Sequence, residues 1–522
     1  MEIYDFTEGK CYDDWEKLFK VSKTNLSYKL KDLEKNEQIQ DERKEDLQET
    51  IFLLYECKRM LSEVKKFKNI GLLYKDICPI YENKINDIEN ELNIYLYNKK
   101  NCTYIEYLNL KYNVRIIMKQ IGGILSCSDW QSPGISTGNI KEYGYNQIEK
   151  ETYMRTGGSL FVKQYEKKLL KELYESDNKA KSKLLGYMTS SGMKALELSL
   201  MIYKVISREQ MKMYYQCNYY YEGITLIRNL FPYSISLSVS EIYSKLDNNE
   251  EIGCILLEPG TTWPIGEGID LDKFFNKLKL HVQKGPLFII IDRTIVSIAE
   301  EIHLNYSKYM KNNQVLITVE SGLKYYQYGL DIVNFGFCTI YGFICRIPAY
   351  IELTEHLINV ISAIPDPALI KRLPEVNRLM VQKRLKRMAR NSNLLFSFFK
   401  YLKVKNIINE IHQSVSNEKL LKIEEIPWNG TLIYIQNGIN KTLADYETLS
   451  NRIINHSKES LSIHKGGSFG FDTMRLSACE ELENPLNCSL RISVGRDTLF
   501  DLINKIIFFK SFFLDFNTTY LK

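Results

Sequence analysis

The chain has 522 residues, enough for about two to four domains and a large core. Hydrophobic residues make up 44% and charged residues 25%, the balance of a soluble globular protein. A formal net charge of +5 over this length, with no basic block interleaved with aromatics, excludes nucleic acid as the expected partner.

The chain opens on "MEIYDFTEGKCYDDW", which is acidic and lacks the positive and apolar regions of a signal peptide, so a cytoplasmic location is expected. Downstream, "DLQETIFLLYECKRMLSEVKKF" and "YENKINDIENELNIYLY" repeat apolar residues at helical spacing and predict two amphipathic helices. Residues 1–140 therefore form a helical N-terminal extension, either a packing or oligomerisation module or a separate activity. The turn-rich "SCSDWQSPGISTGN" (126–139) marks its end.

From there the texture changes. "KLLGYMTSSGMKALELSLMIY" predicts a strand, a small-residue turn and a helix. "IGCILLEP", "GPLFIIIDRT" and "NQVLITVES" are apolar strands, with "DLDKFFNKLKLHVQ" an amphipathic helix between them. Such alternation means an α/β fold, a mostly parallel sheet sandwiched by helices over residues 141–365. Functional residues then gather at the carboxyl ends of strands, where Ser191, Glu258, Asp292 and Ser321 fall.

The longest apolar stretch, "VNFGFCTIYGFICRIPAYI", is broken by Asn334 and Arg346. A membrane span needs about 18 uninterrupted apolar residues, so buried strands are expected there and no membrane partner. Beyond it, a long basic helix over "EVNRLMVQKRLKRMARNSNLLFSFFKYL" and the strands "GTLIYIQNG" and "SLRISVG" predict a smaller α+β domain, 366–522. Eleven cysteines without a CxxC pair make no disulfide framework, and six scattered histidines make no metal site.

Three features bear on chemistry. "TSSGMKAL" sets small residues at a strand end and opens a helix at Gly192 and Met193. That is a phosphate-binding turn or simply a tight connection. Asp292 ends a strand too apolar to expose it, so its carboxylate requires a donor: a cap, a structural cation or a pyridinium N–H. Lys324 follows one strand–helix–strand unit later, as a surface charge or as an amine nucleophile toward a carbonyl. In this order, a phosphate turn, a strand-end acid and a loop lysine are the parts that hold pyridoxal phosphate.

With these residues in view, the chain from about residue 143 onward resembles the cysteine/methionine-metabolism family of fold-type-I pyridoxal-phosphate enzymes, the cystathionine γ-synthase, cystathionine lyase and methionine γ-lyase relatives. The family's Tyr-x-Arg element is matched by "YMRTGG", so Tyr153 and Arg155 would reach the cofactor phosphate of a neighbouring subunit. The "SGM" turn is Ser191, Gly192 and Met193, and the ring-stacking tyrosine is Tyr221. "DRT" stands for "DNT", giving Asp292 as partner of the pyridine nitrogen, with Thr294 beside it. "SGLK" stands for "S-x-T-K", giving Ser321 and the Schiff-base lysine, Lys324. "SFG" and "RISVGRD" supply Ser468 and Arg491, which would bind the substrate α-carboxylate. Four departures alter substrate and ring-oxygen contacts. Leu323 replaces a threonine, Trp263 stands where an asparagine bonds the phenolic oxygen, and Arg293 and Glu222 replace an asparagine and a glycine.

The resemblance implies a cytoplasmic carbon–sulfur lyase or γ-synthase-type transferase of trans-sulfuration. Its chemistry would be β/γ-elimination or γ-replacement on a homoserine ester, cystathionine or related sulfur amino acid. Lys324 would be the Schiff base and proton carrier, and Tyr221 a proton shuttle. Active sites shared between subunits imply a homodimer or homotetramer, whose interface or active-site mouth the extension would cover. The alternatives are a specialised enzyme forming a C–C, C–N or C–S bond at Cγ, an aminotransferase, or a non-catalytic scaffold that keeps the fold.

Overall fold

The computed structural model of the protein describes residues 11–20, 30, 32–66, 71–97, 102–125, 160–174, 184–207, 212–263, 267–415, 421–438, 442–481 and 487–520. The chain divides into two compact units, one drawn from 1–40, 203–318 and 381–522, the other from 41–202 and 319–380. Its first seven strands are β1 (Leu184–Thr189), β2 (Met213–Gln216), β3 (Ile235–Leu237), β4 (Cys254–Leu257), β5 (Leu287–Asp292), β6 (Gln314–Ser321) and β7 (Gly336–Gly342). Then come β8 (Glu410–Gln413), β9 (Lys422–Ile423), β10 (Ile426–Pro427), β11 (Leu432–Gln436), β12 (Ile463–Lys465), β13 (Met474–Glu480) and β14 (Cys488–Ser493).

In the first unit the strand order is β6, β5, β4, β2, β3. The pairs β5–β4, β4–β2 and β2–β3 are parallel. All of β4, and all of β5 but its last residue, is buried. Apolar strands without alternation need cover on both faces, which intervening helices supply. Helix Leu271–Leu280 turns Leu271, Phe274, Phe275 and Leu278 inward, at helical spacing, and Asp270 caps it by accepting from the Lys273 amide. Helix Val239–Asp247 begins with a capping box of Ser238 and Glu241. Parallel alignment sends Gln216, Glu258 and Asp292 to the same, carboxyl edge.

The same unit holds a second sheet, in the order β12, β13, β14, β11, β8, antiparallel except for β12–β13. Its core joins Phe398 and Phe399 of helix Arg378–Val404 to Ile433, Leu490 and Ile492 of the strands and Phe509 of helix Leu499–Tyr520. Trp15 of helix Cys11–Lys20 is buried in this core, its indole N–H donating to Ser397 Oγ at 3.1 Å.

In the second unit β7 lies between β1 and β6. β1 and β7 are antiparallel, in register from Leu184↔Tyr341 to Thr189↔Gly336. Helix Glu37–Lys66 from Asp41 onward, and helices Gly71–Tyr97 and Tyr104–Leu125, also belong to this unit. The buried pair Lys111–Glu49, 2.6 Å, joins the first and last of them, and Lys58–Glu89, 2.7 Å, joins the first two.

The expected architecture is present: a mostly parallel sheet with helices, a smaller C-terminal α+β portion and helices near the N-terminus. One stretch differs. "VNFGFCTIYGFICRIPAYI" yields the single strand β7 and then helix Pro348–Val360. Gly342, at φ 126°, ends the strand, and Pro348 opens the helix, where its missing N–H leaves no bond unmade. Among the described residues no helix is long and apolar enough to cross a membrane.

Candidate active site

Asp292 ends β5, and each of its carboxylate oxygens has a donor. The Tyr219 hydroxyl donates to Oδ2 at 2.8 Å and the Thr294 amide to Oδ1 at 2.9 Å, the latter closing an Asx turn. Tyr219 follows the bend after β2, where Asn218 takes the left-handed conformation at φ 59° that asparagine tolerates. Burial, then the charge of Asp292, pushes the Tyr219 phenol far up, so it stays a donor. The Tyr219 carbonyl accepts from the Trp263 indole at 2.6 Å.

One strand over, Glu258 directly follows β4. It is 3% exposed, and its Oε2 lies buried without a hydrogen-bond partner. Burial, and next the charge of Asp292, raises its carboxyl well above the carboxylate range and favours the neutral acid. The Gln216 amide fixes this turn by accepting from the Glu258 N–H at 3.0 Å and donating to its carbonyl at 3.2 Å. Arg293, also buried, works in another direction. Burial first and then its charge hold the His303 imidazole down to about 3.

Tyr221 opens helix Tyr221–Leu230 and is 47% exposed. Its ring meets Trp263 edge-on at 6.5 Å, and its hydroxyl donates to Glu222 at 2.9 Å. That hydrogen bond, followed by burial, raises its phenol, while the charge of Arg491 acts to lower it. Arg491 sits in β14 opposite Tyr434 of β11 and Ser477 of β13, and its Nε donates to Ser477 Oγ at 3.2 Å. The guanidinium passes over Gly467, where a Cβ would stand 2.2 Å from Nη2. Just beyond, the Ser468–Phe469–Gly470 turn is tied down by buried Arg384. One Nη of Arg384 donates to the Gly470 carbonyl at 2.9 Å, the other to Asp472 at 2.6 Å.

In the second unit, Ser191 caps helix Gly192–Ser207, its Oγ accepting from the Lys194 amide at 3.1 Å. The amides of Gly192 and Met193 open that helix and have no partner within it, at its positive end. A Cβ on Gly192 would meet Ser321 Cβ at 3.0 Å and its Cα at 3.1 Å. A Cβ on Gly336 would meet the Ser191 carbonyl at 2.3 Å. Glycine at 192 and 336 lets these three segments approach this closely.

Lys324 lies on the turn that follows β6 and is partly buried. The turn is fixed on both sides of it. The Gln327 side chain donates to the carbonyls of Gly322 and Val333 at 3.1 and 2.6 Å, and accepts from the Ile332 and Val333 amides at 2.8 and 3.0 Å. Tyr326 and Tyr174 both donate to Glu320, the latter at 2.8 Å.

The second unit thus brings Ser191, Gly192, Met193 and Ser321 together, with Lys324 on the next turn. The first brings Asp292 and Thr294 to one strand end, and Tyr221 within the electrostatic reach of Arg491. Tyr153 and Arg155, and the boundary expected at 126–140, lie outside the described residues. Sequence reasoning missed Tyr219 and Arg384. The first sits in a run of three tyrosines, the second among the charges of a basic helix. Among the described residues no cluster of His, Cys, Asp or Glu is placed to hold a metal ion.

The sequence matches no protein-family model and no curated protein. Among solved structures, the chain is similar to metB from Corynebacterium glutamicum, with 17% identity, a TM-score of 0.48, and coverage of 68% of this chain and 85% of that one. It is similar to a putative O-acetylhomoserine (thiol)-lyase (metY) from Campylobacter jejuni with N'-pyridoxyl-lysine-5'-monophosphate, at 14% identity, TM-score 0.47 and coverage of 67% and 86%. The histidinol-phosphate aminotransferase from Clostridium acetobutylicum follows at 13% identity, TM-score 0.44 and coverage of 70% and 92%.

Proposed function

We propose that the protein is a pyridoxal-phosphate-dependent enzyme acting at Cβ or Cγ of an amino acid, by elimination or replacement. The observation that carries this reading is the carboxylate of Asp292, held by Tyr219 and the Thr294 amide at the end of a buried strand. A carboxylate can accept more than one hydrogen bond at each oxygen, and on this reading it would accept from the ring N–H. The residues present fit the cofactor. Ser191, Gly192, Met193 and Ser321 suit its phosphate, joined by Thr294 and, from a neighbouring subunit, by Tyr153 and Arg155. Lys324 suits its aldehyde, and Tyr221 the face of its ring.

When bound, the cofactor supplies an electron sink conjugated to the substrate α-carbon. Lys324 would hold the aldehyde, and its amine would carry the proton from the α-carbon. Asp292 keeps the proton on the ring nitrogen. Arg491 grips the α-carboxylate as a bidentate donor with Ser468 beside it, which fixes the bond to be broken. Tyr221 moves a proton toward the leaving group. The substrate class on this reading is a homoserine ester, cystathionine or related sulfur amino acid, turned over by a homodimer or homotetramer.

One observation favours a second reading within the same chemistry. The Trp263 N–H is directed at the Tyr219 carbonyl, so it does not replace the asparagine donor that the resemblance leads one to expect. A specialised bond-forming enzyme, or an aminotransferase, would tolerate that change. Incubation with pyridoxal phosphate, borohydride reduction and peptide mass spectrometry test the core claim. A phosphopyridoxyl group on Lys324, and loss of the visible-edge absorption in Lys324→Ala, are expected. A wild type that stays colourless and unlabelled rejects it. Release of 2-oxobutyrate from O-acetylhomoserine, cystathionine or methionine separates elimination from transamination.

A further inference from the structure

The helices near the N-terminus fall outside the family resemblance, yet in the second unit they touch the turn that bears Lys324 at several points. Arg115 of helix Tyr104–Leu125 donates through Nε to the Leu330 carbonyl and through Nη2 to the Asp331 carbonyl at 3.4 Å. Asp331 itself is in the left-handed conformation, φ 50°, as is Tyr328 at φ 53°. Two such residues within one turn are costly for non-glycine side chains and persist only where neighbours over-determine them. Phe52 of helix Glu37–Lys66 packs edge-on against Tyr328, with ring centroids 5.6 Å apart. The Tyr328 hydroxyl donates to the Glu375 carbonyl at 3.0 Å and accepts from the Asn377 amide at 2.9 Å.

The 372–377 segment is in turn held by the same helices. The Glu375 amide donates to Glu56 Oε2 at 3.1 Å, and Arg372 Nε to the Gly122 carbonyl at 3.1 Å. The Arg372 side chain lies flat on Gly122, where a Cβ would stand 2.5 Å from its Cγ and 3.1 Å from its Cβ. Gly123, the next residue, has nothing within 4 Å of its Cβ position.

We infer that these N-terminal helices are part of the site's machinery: through Arg115 and Gly122 they clamp the turn that presents the Lys324 amine. Arg115 is a positioning residue on this inference, which rests on Lys324 being the cofactor amine. The left-handed backbone at Tyr328 and Asp331 is the strained element, and the Arg115 fork on the adjoining carbonyls is what keeps it closed.

Hydrogen–deuterium exchange on the full-length protein without added cofactor reads the clamp directly. Arg115→Ala is expected to speed exchange over residues 325–333 about tenfold, the scale of one lost charged hydrogen-bond pair. Arg115→Lys should fall between, restoring one bond but not the fork. Gly122→Ala should act like Arg115→Ala, while Gly123→Ala leaves the turn as in wild type. A second readout is the rate at which the visible-edge band develops on mixing with pyridoxal phosphate, expected to slow in Arg115→Ala in step with the exchange change. Unchanged exchange in Arg115→Ala and Gly122→Ala overturns the clamp. So does faster exchange with band development as in wild type. If the wild type develops no band, the reading of Lys324 fails, and the inference fails with it; the exchange comparison still reports whether the helices hold the turn.

Discussion

At the scale of single residues, the strand-end acid is governed by its donors. Asp292 stands at the end of five buried apolar positions, and Tyr219 and the Thr294 amide both donate to its carboxylate. Tyr219 is itself fixed, through its carbonyl, by Trp263. Tyr219→Phe therefore keeps shape and burial and deletes one donor, at a cost of about 1–3 kcal/mol for a carboxylate left short of a partner. On the proposed function the ring N–H would still donate to the carboxylate, so the variant should lose global stability while binding pyridoxal phosphate no more weakly than wild type. Thermal melts with and without cofactor check this. A cofactor affinity that drops tenfold or more instead would mean that Tyr219 orients the carboxylate and does not merely satisfy it.

At the scale of elements, the decisive contact is between a β-strand arginine and a glycine loop. Arg491 is positioned by its place between β13 and β11, but its guanidinium is free to lie as it does because residue 467 has no side chain. The clashing atom is the far end of a flexible side chain, so Gly467→Ala should cost little stability and displace the guanidinium. On the proposed function, KM for the amino acid rises about tenfold or more, as expected when a bidentate carboxylate contact is lost, with kcat less affected. An unchanged KM would remove Arg491 from substrate binding. This contact was not legible from the sequence, whereas β4, β5 and β6 were, because strands buried on both faces write themselves as unbroken apolar runs. Asp292 stood out for a related reason: a carboxylate that ends such a run needs a donor. Tyr219 was hidden by its tyrosine neighbours, since only the left-handed bend at Asn218 decides which ring turns inward. Arg384 was hidden by composition. A basic helix reads as a solvated face, yet this arginine is fully buried on Asp472 and the Gly470 carbonyl. Ile347–Ile351 was misread because apolarity alone does not separate a strand from a helix that Pro348 begins.

At the scale of the whole molecule, each compact unit contains a carboxyl group that resists ionisation, the buried Glu258 in one and the half-buried Glu166 in the other. Glu166 lies in helix Leu160–Leu173 and accepts from the Met188 amide of β1 at 2.8 Å. Burial raises its carboxyl to about 7; the Met188 bond and Lys163 oppose this, and Glu355 adds to it. Unfolded, the same group titrates near 4.5. Between those values the unfolded chain has lost a proton that the folded chain keeps, so stability falls as pH rises. The contribution is fully present below about pH 4.5 and gone above about pH 7. Its size is roughly 3 kcal/mol by the usual conversion of pKa difference to free energy. Glu375 acts in the opposite sense, lowered chiefly by its hydrogen bond to Lys168, but that pair is half-exposed and screened by solvent, so it does not offset Glu166. Glu166→Gln keeps an acceptor for the Met188 amide and cannot ionise. Its urea-unfolding curve should coincide with wild type near pH 4.5 and exceed it increasingly up to about pH 8, where the gap levels off. Curves that stay parallel across this range would show that Glu166 ionises in the folded protein with an ordinary carboxylate pKa, its charge met by Lys163 and the Met188 amide.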